Sequence, residues 1–152
     1  MRSRKLIVLE ANIDDMNPQW FEPLMERLFE AGALDVTLIP AIMKKSRPAT
    51  IVQVLTEPKR RDQILKIIFE ESTTLGIRSY AVERHELKRV VKKIQTEFGT
   101  VEVKIGRDGT GSIVNISPEY ESCKLLAKKK KVPLKKIYQA ALCSSNLDRS
   151  RS

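Results

Sequence analysis

Residues 9–20, LEANIDDMNPQW, hold the first change of secondary structure in the chain. The apolar run Leu6–Leu9 at their start reads as part of a buried strand over residues 5–12. Asn17 and Pro18 then form a start signal, since Asn is a good N-cap and Pro suits the first helical position. Beyond them Phe21, Leu24, Met25, Leu28 and Phe29 recur at helical spacing and predict one apolar helix face. Gly32 ends that helix as a C′ glycine. Between strand and helix stand two adjacent carboxylates, Asp14 and Asp15. They can converge on one ion only where the strand has ended, because neighbours along a strand point to opposite faces. A hard divalent cation takes one or two carboxylates together with phosphate oxygens and waters. Acids ahead of a helix also stabilise its N-terminus by about 0.3–1 kcal/mol each. On these two residues alone, capping is the stronger reading.

Working outward, strand-like residues cover Val36–Met43, followed by a basic turn, Lys44-Lys45-Ser46-Arg47-Pro48, and a second strand, Thr50–Leu55. A helix is predicted over Pro58–Leu75, with Ile64, Ile67, Ile68 and Phe69 on its apolar face. Gly76 closes it and Ile77–Val82 begins another strand. The order β-α-β-β-α-β over residues 5–83 predicts an α+β fold, the ferredoxin-like split βαβ sandwich, with two helices on one face of a four-stranded antiparallel sheet. After it, Val90–Phe98 and Val101–Ile105 flank Gly99 as the arms of a hairpin. GRDGTGS (106–112) reads as a flexible turn and Ile113–Ile116 as a short strand. Ser117 is expected to cap a helix with Pro118, Glu119 and Glu121 in its first turn, broken at Val132-Pro133. Leu134, Ile137, Tyr138 and Ala141 predict one more amphipathic helix. The expected organisation is a sandwich over 1–84, a β-hairpin and two-helix subdomain over 85–145, and a disordered tail over 146–152.

At 152 residues the chain suits one domain, or one with a small appendage. Apolar residues make up 41% and charged residues 31%, the balance of a soluble globular protein. No apolar run approaches the roughly 18 residues of a membrane helix. Glu10 and Asn12 interrupt the basic-then-apolar N-terminus, which excludes a secretory signal. Cys123 and Cys143 lack clustered histidines, so they predict reduced thiols in a cytoplasmic protein rather than a zinc site. The net charge is +9, and Lys128–Lys131 with Lys135 and Lys136 place six of the 28 basic residues within nine positions. Such a charge attracts nucleotides, phosphorylated metabolites or nucleic acid. A lysine run near a helix end is also an ordinary solvated face.

Several stretches can carry chemistry. In MKKSRP (43–48) a strand-to-strand turn presents Lys44, Lys45 and Arg47 to one anion, Arg by a bidentate fork and Lys as a point charge. A solvated hairpin tip explains the same residues. In ESTTLGIR (71–78), Thr73 and Thr74 either bond back to helix carbonyls or line a polyphosphate site with Arg78. In NISPEYE (115–121) a helix start offers free backbone N–H groups. His85 is the only histidine, which excludes a multi-histidine metal cradle. No Walker A loop, GxGxxG, GxSxG or HExxH occurs.

Taken together, LEANIDDMNPQ, LMERLFEAGALDV, MKKSRPAT, ESTTLGIR and NISPEYESCKLLA, in this order and at this spacing, resemble the C-terminal region of the LarC family. These are the nickel insertion proteins of nickel-pincer cofactor biosynthesis, and the resemblance covers about residues 5–142. It implies a nickel chelatase, of the lyase class, that inserts nickel into pyridinium-3,5-bisthiocarboxylic acid mononucleotide for lactate racemase. The step is CTP-dependent, with Mn²⁺ or Mg²⁺ assisting and CTP hydrolysed, and the C-terminal region is the part associated with metal–CTP binding. An N-terminal region, absent from this chain, is where nickel delivery is expected. On the matched motifs, Asp14 and Asp15 become candidate metal ligands. Lys44, Lys45, Arg47, Thr73, Thr74 and Arg78 become candidate nucleotide contacts, and Glu119 a further one through ribose or metal. No residue is assigned a catalytic role. The family pattern reads KKNRPG where this chain has Lys44-Lys45-Ser46-Arg47-Pro48-Ala49, so Ser46 and Ala49 are departures that bear on loop geometry. Exposed edge strands favour a homo-oligomer. A nucleic-acid-binding module, or an oligomerisation or ligand-sensing module on the same fold, is the alternative. The strands KLIVLEAN and TIVQVLT hold no aromatic residue for base stacking, which argues against the first of these.

Overall fold

The computed structural model describes residues 2–149, with side chains described through residue 145. The chain forms two compact units, Ser3–Arg84 and a second built from His85 onward. The first contains β1 (Arg2–Ile13), α1 (Phe21–Glu30), β2 (Asp35–Met43), β3 (Arg47–Thr56), α2 (Arg61–Glu71) and β4 (Arg78–Glu86). Its sheet runs β2-β3-β1-β4. β3 lies antiparallel to both β1 and β2. This is the ferredoxin-like order that the alternation of elements predicts.

The register explains the core. Leu9 stands opposite Val54 and Ala11 opposite Val52, while Val36 and Leu38 of β2 continue the same two rows. These residues share a core with Leu24 and Leu28 of α1 and with Ile64, Ile67 and Ile68 of α2. Burying each large aliphatic side chain of this kind contributes about 1.5–3 kcal/mol. Since successive strand residues alternate faces, Glu10 and Asn12 point to the side of the sheet away from the helices.

Two aromatic residues leave the helix faces that periodicity gave them. Phe29 and Phe69 are each 47% exposed. Each lies five positions from a buried residue, Leu24 and Ile64, and five helical steps rotate a side chain about 140° off the inward line. At the start of α1, Asn17 Oδ1 accepts from Gln19 N at 3.0 Å and caps a 3₁₀ turn, Pro18–Trp20, before the helix proper. Asn17 thus does the capping, and the aspartates are not needed for it. Gly32 turns the chain out of α1 with φ +89°, and a Cβ there would meet the Arg60 guanidinium at 2.8 Å.

α2 stops at Glu71, four residues short of the expected Leu75. Ser72 Oγ donates to Ile68 O at 2.6 Å, capping a helix carbonyl that would otherwise go on to a further turn. The β-branched pair Thr73-Thr74 then favours extended backbone. The β2–β3 connection is a 3₁₀ turn at Lys44–Ser46 in which Lys45 and Ser46 both take left-handed conformations, φ 62° and 56°. Asn tolerates that region better than Ser, so the departure at Ser46 has a backbone cost. Ala49 pairs with Ala41 inside the β2–β3 ladder, where the freedom of glycine serves no purpose.

The second unit contains β5 (Lys88–Thr96), β6 (Gly99–Arg107), β7 (Ile113–Pro118), α3 (Tyr120–Lys130) and α4 (Leu134–Arg149). The expected hairpin is present, closed at Thr96 and Gly99, with Thr96 Oγ1 donating to Gly99 O at 2.7 Å. β7 pairs with β6 and makes it a three-stranded sheet. Ile94, Val101, Val103 and Ile105 form its core with Cys123, Ala127, Ile137 and Ala141. Ser117 does not cap α3. It pairs with Lys104 in the β6–β7 ladder, and Glu119 occupies the N-cap position with no side-chain cap bond. The GRDGTGS turn is tied rather than loose, because Asp108 Oδ1 accepts from the backbone N–H of Thr110 and of Ser112 at 2.9 and 3.0 Å. Over the expected tail, α4 continues through Arg149; residues 150–152 lie outside the described residues.

Candidate functional site

Three chain segments meet at one end of the first sheet. β1 ends at Ile13, which leaves Asp14 and Asp15 in a bend where both carboxylates are released from strand alternation. Arg47, the first residue of β3, reaches across with Nη1 3.2 Å from Asp14 Oδ2. Thr73 Oγ1, from the α2–β4 loop, donates to Asp15 Oδ1. The end of β1, the β2–β3 turn and the α2–β4 loop are therefore stitched together through the two aspartates. Asp14 Oδ1 and Asp15 Oδ2 have no hydrogen-bond partner among the described residues. Lys44 and Lys45 project from the same turn as Arg47 and form no ion pair among the described residues.

Arg78, the first residue of β4, is held on the face of the sheet opposite α1 and α2. Its Nε and Nη2 donate to Glu10 Oε1 at 3.1 and 2.7 Å, and Nη2 also donates to Asn12 Oδ1. On the other oxygen, Glu10 Oε2 accepts from Gln53 Nε2 at 3.2 Å and from Tyr80 Oη at 3.1 Å. Gln53 stands opposite Glu10 in the β1–β3 ladder, which accounts for its placement. The hydrogen bond from Gln53, with those from Arg78 and Tyr80, holds the Glu10 carboxyl below its ordinary value against the opposing effect of burial. Burial, reinforced by the Glu10 carboxylate, pushes the Tyr80 phenol up.

The remaining expected contacts separate. Thr74 Oγ1 turns back onto Gly76 O at 3.0 Å and serves its own loop. Glu119 lies in the second unit, where its carboxylate pairs with Lys104. Asp14, Asp15, Arg47 and Thr73 are joined by direct contacts, and Lys44 and Lys45 adjoin them in sequence. Glu10, Asn12, Gln53 and Tyr80 escape a reading of motifs, because each looks like an ordinary strand residue. Period-two alternation was the available signal, since it sets Glu10 and Asn12 on one side of β1.

No group of three or more His, Cys, Asp or Glu side chains positioned for a metal occurs among the described residues. Two carboxylates with two uncommitted oxygens do not make an all-protein cage. They do suit a hard cation that completes its shell with phosphate oxygens and water. A cleft of about 270 Å³ lies beside Thr73, lined by Trp20, Pro23, Glu70, Glu71 and Ser72. Its two glutamates give it the wrong sign for a triphosphate. A second cleft, about 380 Å³, lies among Arg4, Lys5, Glu57 and Lys59 and includes none of the residues at the aspartate end. No described helix is long and apolar enough to cross a membrane.

The family model described as nickel insertion protein matches residues 1–138. A pyridinium-3,5-bisthiocarboxylic acid mononucleotide nickel insertion protein of Thermotoga petrophila is 50% identical over 139 residues, covering 91% of this chain and 35% of its own. The protein of the same name from Acetivibrio thermocellus is 45% identical over 136 residues, covering 90% and 33%. The chain thus spans about a third of the length of the curated relatives it matches. Among solved structures, it is similar to the apo C-terminal domain of a cyclometallase involved in synthesis of the NPN cofactor of lactate racemase. That likeness has a TM-score of 0.91 at 34% identity and covers 95% of this chain and 99% of that one. A protein of Methanopyrus kandleri shares the fold, with a TM-score of 0.64 at 18% identity.

Proposed function

The chain belongs to the nickel insertion protein family, and from that membership we propose that it is the CTP- and metal-binding part of a nickel chelatase. The whole enzyme, of the lyase class, inserts nickel into pyridinium-3,5-bisthiocarboxylic acid mononucleotide with hydrolysis of CTP and so matures the lactate racemase cofactor. Nickel is the substrate metal. Mn²⁺ or Mg²⁺ accompanies the nucleotide.

The observation that carries the reading is the junction at the end of β1, where Asp14 meets Arg47 and Asp15 meets Thr73. Asp14 and Asp15 would hold the cation through their uncommitted oxygens, and the cation would neutralise charge on the triphosphate. Lys44 and Lys45 bring positive charge with no acid paired to it among the described residues, which favours an external anion. Arg47 spans both roles, bound to a metal-side carboxylate while its other donors remain available. Thr73 orients Asp15 rather than touching phosphate. Keeping Thr74 out of the site is consistent with its bond to Gly76.

Calorimetry of the isolated chain with Mn²⁺ and each of the four nucleoside triphosphates tests this. Metal-dependent binding with a preference for CTP is expected, weakened at least tenfold by Asp14→Asn with Asp15→Asn. Binding indifferent to metal and base sinks the proposal. An unfolded double variant would instead assign the aspartates to the fold, and Lys44→Gln with Lys45→Gln, in an exposed turn, then tests the phosphate side independently.

A further inference from the structure

Arg78 and Glu10 make no direct contact with Asp14 or Asp15 among the described residues and are joined by two hydrogen bonds on the face of the sheet opposite α1 and α2. A guanidinium has five N–H donors in one plane. Arg78 uses three of them, Nε to Glu10, and Nη2 to Glu10 and Asn12. Both N–H groups of Nη1 have no protein partner among the described residues, and the side chain is 57% exposed. Glu10 is itself held, 20% exposed, by Gln53 and Tyr80 on its second oxygen. One edge of the guanidinium is therefore committed and the opposite edge is left for a ligand.

We infer that Glu10 is a positioning residue for nucleotide binding, fixing the plane of Arg78 so that its Nη1 edge meets the nucleotide's phosphate. This rests on the function proposed above and assigns Glu10 a part in it. Geometry favours this over a purely structural pair. A strand-to-strand ion pair intended for stability gains little at such exposure, whereas an orienting clamp lowers the entropy lost when an anion binds. Gln53 and Tyr80 support the clamp through Glu10 and need not touch the ligand.

The test uses the whole chain, ¹⁵N-labelled, with Mn²⁺–CTP as the probe. The Arg78 Nε–Hε resonance, identified by its loss in Arg78→Lys, is expected to be protected from solvent exchange in the wild type and lost in Glu10→Gln. Affinity for Mn²⁺–CTP is expected to fall about tenfold in Glu10→Gln and in Arg78→Lys, with the double variant no weaker than Arg78→Lys alone. Gln53→Ala, which leaves Arg78's partners in place, should keep the resonance and lower affinity less, and it serves if Glu10→Gln folds poorly. The inference is overturned if Glu10→Gln binds as the wild type does, if the two losses multiply, or if the resonance survives in Glu10→Gln. A wild-type chain with no affinity for Mn²⁺–CTP overturns the functional reading and the inference together, an outcome the wild-type titration separates from failure of the clamp alone.

Discussion

The two units of the chain differ most in charge. Residues 3–84 carry twelve Lys and Arg against twelve Asp and Glu and are neutral, whereas residues 85–152 carry fifteen against seven, a net +8. Arg2 supplies the remaining unit of the total. The unit that holds the aspartate junction is thus not a basic body, and four of its arginines are each paired with an acid: Arg47 with Asp14, Arg78 with Glu10, Arg27 with Glu71, Arg4 with Glu57. In the second unit Lys88, Arg89, Lys92 and Lys93 along β5 and the run Lys128–Lys131 are exposed. Overall charge draws attention to nucleotide binding for a reason that does not apply where the candidate site lies. The proposed triphosphate site rests instead on local placement, two lysines with no ion pair among the described residues beside two adjacent acids.

The comparison can be broken first through the two cores. Leu28 and Ile137 are both fully buried, one in each unit. Leu28→Ala and Ile137→Ala should each cost about 3–4 kcal/mol by urea unfolding. Hydrogen exchange should lose protection in the amides of the mutated unit; equal loss in both would deny that each core stands by itself. Next in size is Thr56, fully buried in the first unit with no hydrogen-bond partner for its hydroxyl among the described residues. Thr56→Val should raise stability by about 1 kcal/mol, since it removes an unpaired polar atom and keeps the shape. A loss would mean that the hydroxyl is satisfied.

Smaller effects sharpen the picture of the aspartate end. Ser46→Asn should gain about 0.5 kcal/mol by relieving the left-handed turn, whereas Ala49→Gly should lose about 0.5–1 kcal/mol in extended strand. Denaturation midpoints distinguish the two signs. Glu10 gives a pH test. Its folded value lies below the ordinary 4.5, so its contribution is present above that pH and is lost as pH falls through the depressed value. The wild type should lose stability on acidification more steeply than Glu10→Gln below about pH 4.5, and parallel curves would deny the linkage. The smallest effect is expected from Lys128→Gln, Lys129→Gln and Lys130→Gln together. Stability should change by less than about 0.5 kcal/mol and Mn²⁺–CTP affinity by less than twofold at about 150 mM salt. A larger fall in affinity would show that the charge of the second unit takes part in binding after all.

Much of this was legible in order and spacing. The β-α-β-β-α-β alternation led to the sandwich because hydrophobic period distinguishes strand from helix, and Asn17-Pro18 marked the helix start through local cap chemistry. Asp14 and Asp15 drew attention as doubled acids at an element boundary, but on those residues alone capping was the stronger reading, and only the matched motifs made them candidate metal ligands. Less legible were the ends of α2 and the cap of α3. There hydroxyl side chains choose between helix carbonyls and strand pairing by energies too close for a sequence window to separate. Glu119 was a candidate ribose or metal contact on the matched motifs, and its partner Lys104, on a strand fifteen residues earlier, could not be foreseen.

By itself the sequence determined the element order, the apolar faces, the charge of each half and the residue types available for a metal–nucleotide complex, because these follow from local periodicity and composition. The tertiary structure decided which of them meet. Arg47 reaches Asp14 across 33 positions and Arg78 reaches Glu10 across 68. Only strand register can bring such residues within hydrogen-bond distance. The sharing of Glu10 among Arg78, Gln53 and Tyr80 has the same origin, since it depends on β1 lying between β3 and β4. That neighbour relation is non-local and is set by packing the apolar faces of both helices against one sheet.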